Sequence, residues 1–161
     1  MPEVVYRAPR IQDASHMHVL ACRTPALDAN SWYYYALFCE HFPGTSLVAY
    51  VDDEFAAFVT GYMVPERPET LFLWQTASTL NHGVPNLGLS LLKKLVEKVQ
   101  ETQTCKYVEG TIDPANRAIA MQFRLLARLL QADSTTSVMF SAEAHPELEH
   151  DELKIRIGPI N

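Results

Sequence analysis

The residues best placed for chemistry lie between Leu71 and Thr102, where an apolar run, a loop and an amphipathic stretch follow one another. Leu71–Ala77 reads as a buried strand, Thr79–Pro85 as a loop, and a helix begins near Asn86. A loop that opens a helix leaves backbone N–H groups free and turns the positive end of the helix the same way. That is the local chemistry of a phosphate or pyrophosphate site. A second candidate is the aromatic cluster Trp32, Tyr33, Tyr34, Tyr35 and Phe38, because no single helix face buries all five. Some of them line a groove, a partner surface or solvent. Other chemistries lack their motifs: the chain has no GxSxG, no GxxxxGK followed by Ser or Thr, no GxGxxG and no HExxH. His145 and His150 lie near carboxylates but match no tight ligand spacing, and His16 and His18 fall on different helix faces. No metal is expected.

The elements that must position these residues follow from periodicity. Val4–Arg7 is a short strand, and Asp13 reads as the cap of a helix over Ala14–Cys22. The aromatic helix follows, capped by Asn30 or Ser31, with Asp28 just before it. Ser46–Val51 and Glu54–Tyr62 flank Asp52–Asp53 as a β-hairpin, and Pro65 and Pro68 mark a turn before the Leu71 strand. In the central helix Leu87, Leu91, Leu92, Leu95, Val96 and Val99 share one face, and Lys93, Lys94, Glu97 and Lys98 the other. Lys106–Thr111 is a strand, and Asp113–Pro114 caps a helix over Ala115–Leu130. Thr135–Ser141 and Leu153–Ile157 close the chain as strands around an acidic loop, Glu143–Glu152. This order describes one mixed α/β domain over residues 1–161, with helices on both faces of a sheet.

Composition narrows the partners. The 161 residues are 48% hydrophobic and 20% charged, enough for one folded core. A net charge of −6 without a Lys/Arg run argues against nucleic acid or an anionic membrane. No apolar run is long enough to span a bilayer, and MPEVVYRAPR lacks the apolar core of a signal peptide. Cys22, Cys39 and Cys105 form no CxxC, so reduced thiols in a cytoplasm are expected.

Several segments carry a family likeness: LDANSWYYYALFCEHF, FVTGYMVPERPETLFLWQTA, TIDPAN, VMFSAE and the terminal RIGP. Together, and in this order, they resemble the L-2,4-diaminobutyrate acetyltransferases of ectoine synthesis, a branch of the GNAT N-acyltransferase superfamily. The resemblance implies a GNAT fold, a mixed sheet splayed at its middle, with acetyl-CoA lying between two strands. It implies direct attack of a substrate amine on the thioester, with no covalent enzyme intermediate. Matching positions place the backbone of Thr76 and Ser78, with Asn86, Gly88 and Asn116, on the cofactor. Asp28, Tyr33, Trp74, His150 and Glu152 match the diamino acid pocket, and Asp28, Glu152 and His150 are its catalytic candidates. The run from His150 to RIGP is one residue shorter than in the family, which separates both His150 and Glu152 from a clean match. Carboxylates and an aromatic wall suit a substrate with two ammonium groups, and the attacking amine needs a base or a water chain. Phe123 stands where many GNAT proteins carry a Tyr that protonates the leaving thiolate. A homodimer fits the family.

One stretch departs from the pattern. The family's pyrophosphate loop runs Gln or Arg, two residues, Gly, one residue, then Gly or Ala. This chain has Gly83-Val84-Pro85-Asn86-Leu87-Gly88. Gly83 stands at the Gln-or-Arg position, Asn86 at that of the middle glycine, and Pro85 removes an N–H. Three readings follow: acetyl-CoA held by rearranged contacts, an acyl donor presented by a carrier protein, or a GNAT fold that binds without catalysis.

Overall fold

The computed structural model describes all residues, Met1–Asn161. Its strands are β1 (Val4–Arg7), β2 (Leu47–Val51), β3 (Glu54–Val64), β4 (Arg67–Ser78), β5 (Tyr107–Ile112), β6 (Ser134–Phe140) and β7 (Glu152–Ile157). Its helices are α1 (Ala14–Arg23), α2 (Trp32–His41), α3 (Leu87–Thr102) and α4 (Arg117–Leu129). All seven strands join one sheet in the order β1-β2-β3-β4-β5-β7-β6. Only β4 and β5 pair in parallel; every other neighbour is antiparallel.

Each face carries its own core. On one, Leu91, Leu92, Leu95 and Val96 of α3 and Leu126 of α4 pack on Leu71, Leu73 and Val108. On the other, Met17 and Leu20 of α1 and Tyr35 and Cys39 of α2 pack on Val48, Phe58 and Ala77. The aromatic helix divides as its periodicity requires. Tyr35 and Phe38 are buried, while Trp32 and Tyr33 remain exposed.

Four local details differ from the sequence reading. The hairpin strands are longer, because Pro65 and Glu66 make a tight turn and Pro68 already lies in β4. Asp13 sits before α1 without capping it; its carboxylate instead accepts from the Arg10 N–H, the Arg7 guanidinium and the Tyr50 hydroxyl. Asn116, not Asp113, caps α4, its Oδ1 accepting from the Ile119 N–H at 3.2 Å. Asp113 closes a turn one step earlier by accepting from Ala115. Lys98 leaves the solvent face of α3 and donates to the carbonyls of Pro43 and Ser46 at 2.7 and 3.0 Å, tying the helix to the entry of β2.

A buried charge joins the central strands. Glu109 on β5 is fully buried, and one of its oxygens accepts from both Arg67 of β4 and Arg156 of β7. Burial alone would raise its carboxyl pKa; the hydrogen bonds from Arg67 and Arg156 outweigh that and hold it below the usual carboxylate range. Glu109→Ala would leave two part-exposed guanidiniums without their anion and should cost about 1–3 kcal/mol, measured by urea unfolding at pH 7. The folded-state pKa is depressed, so this contribution is complete above the ordinary value of 4.5 and is lost as pH falls through the lowered one. The gap between variant and parent should therefore shrink in acid.

Candidate functional site

The site begins with one extra residue in β4. Thr60 of β3 pairs with Gln75 and Gly61 pairs with Leu73, leaving Trp74 unpaired as a bulge. Past this point β4 leaves β5. Their pairing runs from Thr70↔Tyr107 to Leu73↔Gly110 and stops. Beyond it β4 stays with β3 as far as Ser78, and β5 stays with β7 as far as Ile112. The two central strands thus open a cleft of about 460 Å³.

The open edge of β4 has unused backbone groups. The Thr79 N–H donates to the Ala56 carbonyl at 2.7 Å, so Thr79 faces β3. Backbone direction alternates along an antiparallel strand, which turns the N–H and C=O groups of Ser78 and Thr76 toward the cleft. Both residues line it.

Asp28 reaches the same cleft from the loop between α1 and α2. That loop is held by a buried chain of hydrogen bonds. The Tyr35 hydroxyl donates to Gln75 Oε1 at 2.9 Å, and Gln75 Nε2 donates to the Asp28 carbonyl at 2.8 Å. The Asn30 N–H donates back to the Tyr35 hydroxyl at 3.3 Å. Gln75 faces α2 because the bulge places it there. Beside it Trp74, 48% exposed, stands edge-on to Tyr34 with ring centroids 4.6 Å apart. Glu152, at the start of β7, forms the opposite wall with Asp113. The charged side chains lining the cleft are therefore all acidic: Asp28, Asp113 and Glu152.

A second hollow of about 390 Å³ adjoins the first and shares Ser78, Gly88, Ala118 and Gln122 with it. It holds the loop that departs from the family pattern. Asn86, at the N-terminus of α3, has φ 56° and ψ 34°, the left-handed conformation a glycine would otherwise take. Asn substitutes there because it tolerates this region better than other side chains. The Val84 N–H is already spent, donating to His82 Nδ1 at 3.0 Å. Gly88 leaves room for α4, since a Cβ there would come within 2.6 Å of the Gln122 side-chain nitrogen. Gly110 does the same for Phe123, whose buried ring would lie 2.3 Å from such a Cβ. Phe123 lines the cleft and has no hydroxyl.

Of the residues singled out in the sequence, the structure brings Asp28, Trp74, Thr76, Ser78, Gly88, Asn116 and Glu152 to the first hollow, and Asn86 to the second. Tyr33 and His150 stand apart. Tyr33 is 66% exposed on the outer face of α2, and His150 is exposed in the loop before β7; neither lines the cleft. Gln75, Gln122 and Asp113 were not singled out. Gln75 lay inside a recognisable motif, but the long-range partners that explain it, Tyr35 and Asp28, come from the fold alone. No three His, Cys, Asp or Glu side chains are grouped to hold a metal ion.

Residues 12–123 match the acetyltransferase (GNAT) family. The chain is 37% identical over 160 residues to the L-2,4-diaminobutyric acid acetyltransferase of Shouchella clausii, covering 99% of this chain and 89% of that protein. It is 38% identical over 154 residues to the enzyme of the same name from Nocardia farcinica, covering 96% and 79%. Among solved structures it is similar to diaminobutyrate acetyltransferase EctA from Paenibacillus lautus in complex with L-2,4-diaminobutyric acid and coenzyme A. The TM-score is 0.89 at 31% identity, over 99% of this chain and 96% of that one.

The left-handed backbone at Asn86 gives a test that does not depend on activity. Asn86→Gly should leave thermal stability unchanged or slightly raised, whereas Asn86→Val should cost about 1–2 kcal/mol. In a chain of this size each kcal/mol lowers Tm by about 2–4 °C, which scanning calorimetry resolves.

Proposed function

The chain belongs to the L-2,4-diaminobutyric acid acetyltransferase family of GNAT enzymes, and from that premise we propose that it moves the acetyl group of acetyl-CoA to one amine of L-2,4-diaminobutyrate. The observation that carries this reading is the acid-walled cleft opening where β4 and β5 part. Acetyl-CoA suits the site: Thr76 and Ser78 offer an unpaired strand edge to its amide-bearing arm, and the Gly88 hollow sits at the N-terminus of α3. Bound there, it supplies the activated thioester; the chain supplies position and proton handling.

An ammonium has no lone pair, so the attacking amine must shed a proton before it reacts. Asp28 and Glu152 stand on opposite walls as candidates to hold the substrate's ammonium groups and to take that proton, directly or through water. The Trp74 face adds an aromatic surface for a cation. Phe123 has no proton to give, so the leaving sulfur draws its proton from water or from another group. Tyr33 and His150 remain outside this arrangement.

A second reading is favoured by the loop itself. With Gly83 at the Gln-or-Arg position and Pro85 lacking an N–H, the pyrophosphate grip has neither Lys nor Arg and one backbone donor fewer. An acyl group delivered on a carrier protein's phosphopantetheine arm would need no such grip. We further propose that the whole chain acts as one catalytic unit in the cytoplasm and that two copies associate. The exposed Val138, Met139 and Phe140 of β6, the last strand of the sheet, support a covered edge there. No helix is long and apolar enough to cross a membrane.

The deciding measurement is free-thiol release from acetyl-CoA with L-2,4-diaminobutyrate, with the product weighed by mass spectrometry. A singly acetylated diamine is expected. Asp28→Ala and Trp74→Ala should each lower kcat/KM at least about tenfold with Tm little changed, as expected for one lost charge-assisted or cation–aromatic contact. Absence of both turnover and calorimetric CoA binding would overturn the acetyl-CoA reading and turn the search to acylated carrier proteins.

A further inference from the structure

The cleft poses a charge problem that its own walls do not solve. L-2,4-diaminobutyrate carries two ammonium groups and one carboxylate. Asp28, Asp113 and Glu152 suit the ammonium groups, but no Lys, Arg or His lines the cleft to receive the carboxylate. Left to those walls, a carboxylate would meet only like charge.

A cation lies one step along the sheet. Lys154 of β7 is directly opposite Thr111 of β5, and Thr111 lines the cleft. Glu152, the cleft's far wall, is two residues earlier on the same strand, so both side chains leave the same face. Directly opposed positions bring Cβ atoms to about 5 Å, and the four-carbon stem of Lys carries its charge well beyond that.

Of the three cations around Glu109, Lys154 has least to do where it stands. Glu109 already accepts from Arg67 and Arg156. Arg156 is committed further, donating to Thr70 at 3.3 Å and lying 3.7 Å over the Tyr107 ring. Lys154 makes no hydrogen bond to Glu109; its Nζ is 4.0 Å from the carboxylate, with the side chain a quarter exposed. Turning it toward the cleft leaves Glu109 its two guanidinium partners.

We propose that Lys154 anchors the substrate's α-carboxylate and so makes the site select a diamino acid over a plain diamine. This rests on the acetyltransferase reading above. The carboxylate held at β7 and the ammonium groups held by Asp28 and Glu152 fix the substrate at both ends. The amine to be acetylated is then aimed at the β4–β5 gap by the whole molecule and not by one contact.

The test compares L-2,4-diaminobutyrate with 1,3-diaminopropane, the same molecule without its carboxylate, in the parent enzyme, Lys154→Met and Lys154→Arg at saturating acetyl-CoA. The parent should favour the amino acid. Lys154→Met should raise KM for diaminobutyrate about ten- to a hundredfold, the value of one charge-assisted bond. Its kcat/KM for diaminopropane should stay level or rise, which also shows that the variant is folded. Lys154→Arg should keep much of the preference. A Lys154→Met enzyme with the parent's preference between the two substrates would overturn the inference while leaving the acetyltransferase reading intact. A fall in both substrates alike would assign Lys154 a structural role and overturn it too. A parent that acetylates neither substrate would overturn both.

Discussion

The arrangement of the site depends on a single register slip between two strands. With Trp74 as an extra residue in β4, the strand after it presents the opposite set of side chains to each face. Leu71 and Leu73 point into the α3 core, yet Gln75 and Ala77 point toward α1 and α2. The same slip ends the β4–β5 ladder at Gly110. A regular strand would have continued the pairing and closed the gap, leaving β4 no free edge. The bulge therefore makes the cleft, frees its hydrogen-bonding edge and turns Gln75 to where it can hold the Asp28 loop.

The parted strands must be held apart. Glu109 and its guanidinium partners tie β4, β5 and β7 together one row short of the split. Below that row the sheet is continuous; above it, Phe123 of α4 fills the space against Gly110. A buried ion pair is weak evidence for net stability but strong evidence for geometry, because its partners cannot separate without leaving a charge unpaired. Here it fixes where the divergence starts.

Much of this was legible in the chain. Periodicity gave α3 its apolar face and its start at Asn86, and the quoted motifs carried the family and the splayed mixed sheet. What escaped was whatever depended on a long-range partner. Asp13 looks like a helix cap until Arg7 and Tyr50 arrive from β1 and β2 to claim its carboxylate. Lys98 belongs to the polar side of α3 by spacing, yet two carbonyls before β2 draw it inward. Tyr33 matched a family position by resemblance, and its helical phase leaves it exposed on α2. The bulge has no signature in single-chain periodicity, since Trp74 reads as one more residue of an apolar strand.

Asn86 shows how far a motif can erode while its geometry persists. The pattern asks for glycine because the backbone must enter the left-handed region at the start of α3, and Asn enters it at modest cost. Conformation is thus preserved where the pattern is not. Charge is another matter. Replacing the loop's basic residue by Gly83 moves the burden of binding an anion from a side-chain cation to backbone N–H groups and the end of the helix. Such donors are fixed in place and lose no side-chain entropy on binding. They also leave the cleft's electrostatics to its acidic walls, so the half of the site that receives a cationic substrate is not weakened by the half that receives an anionic one.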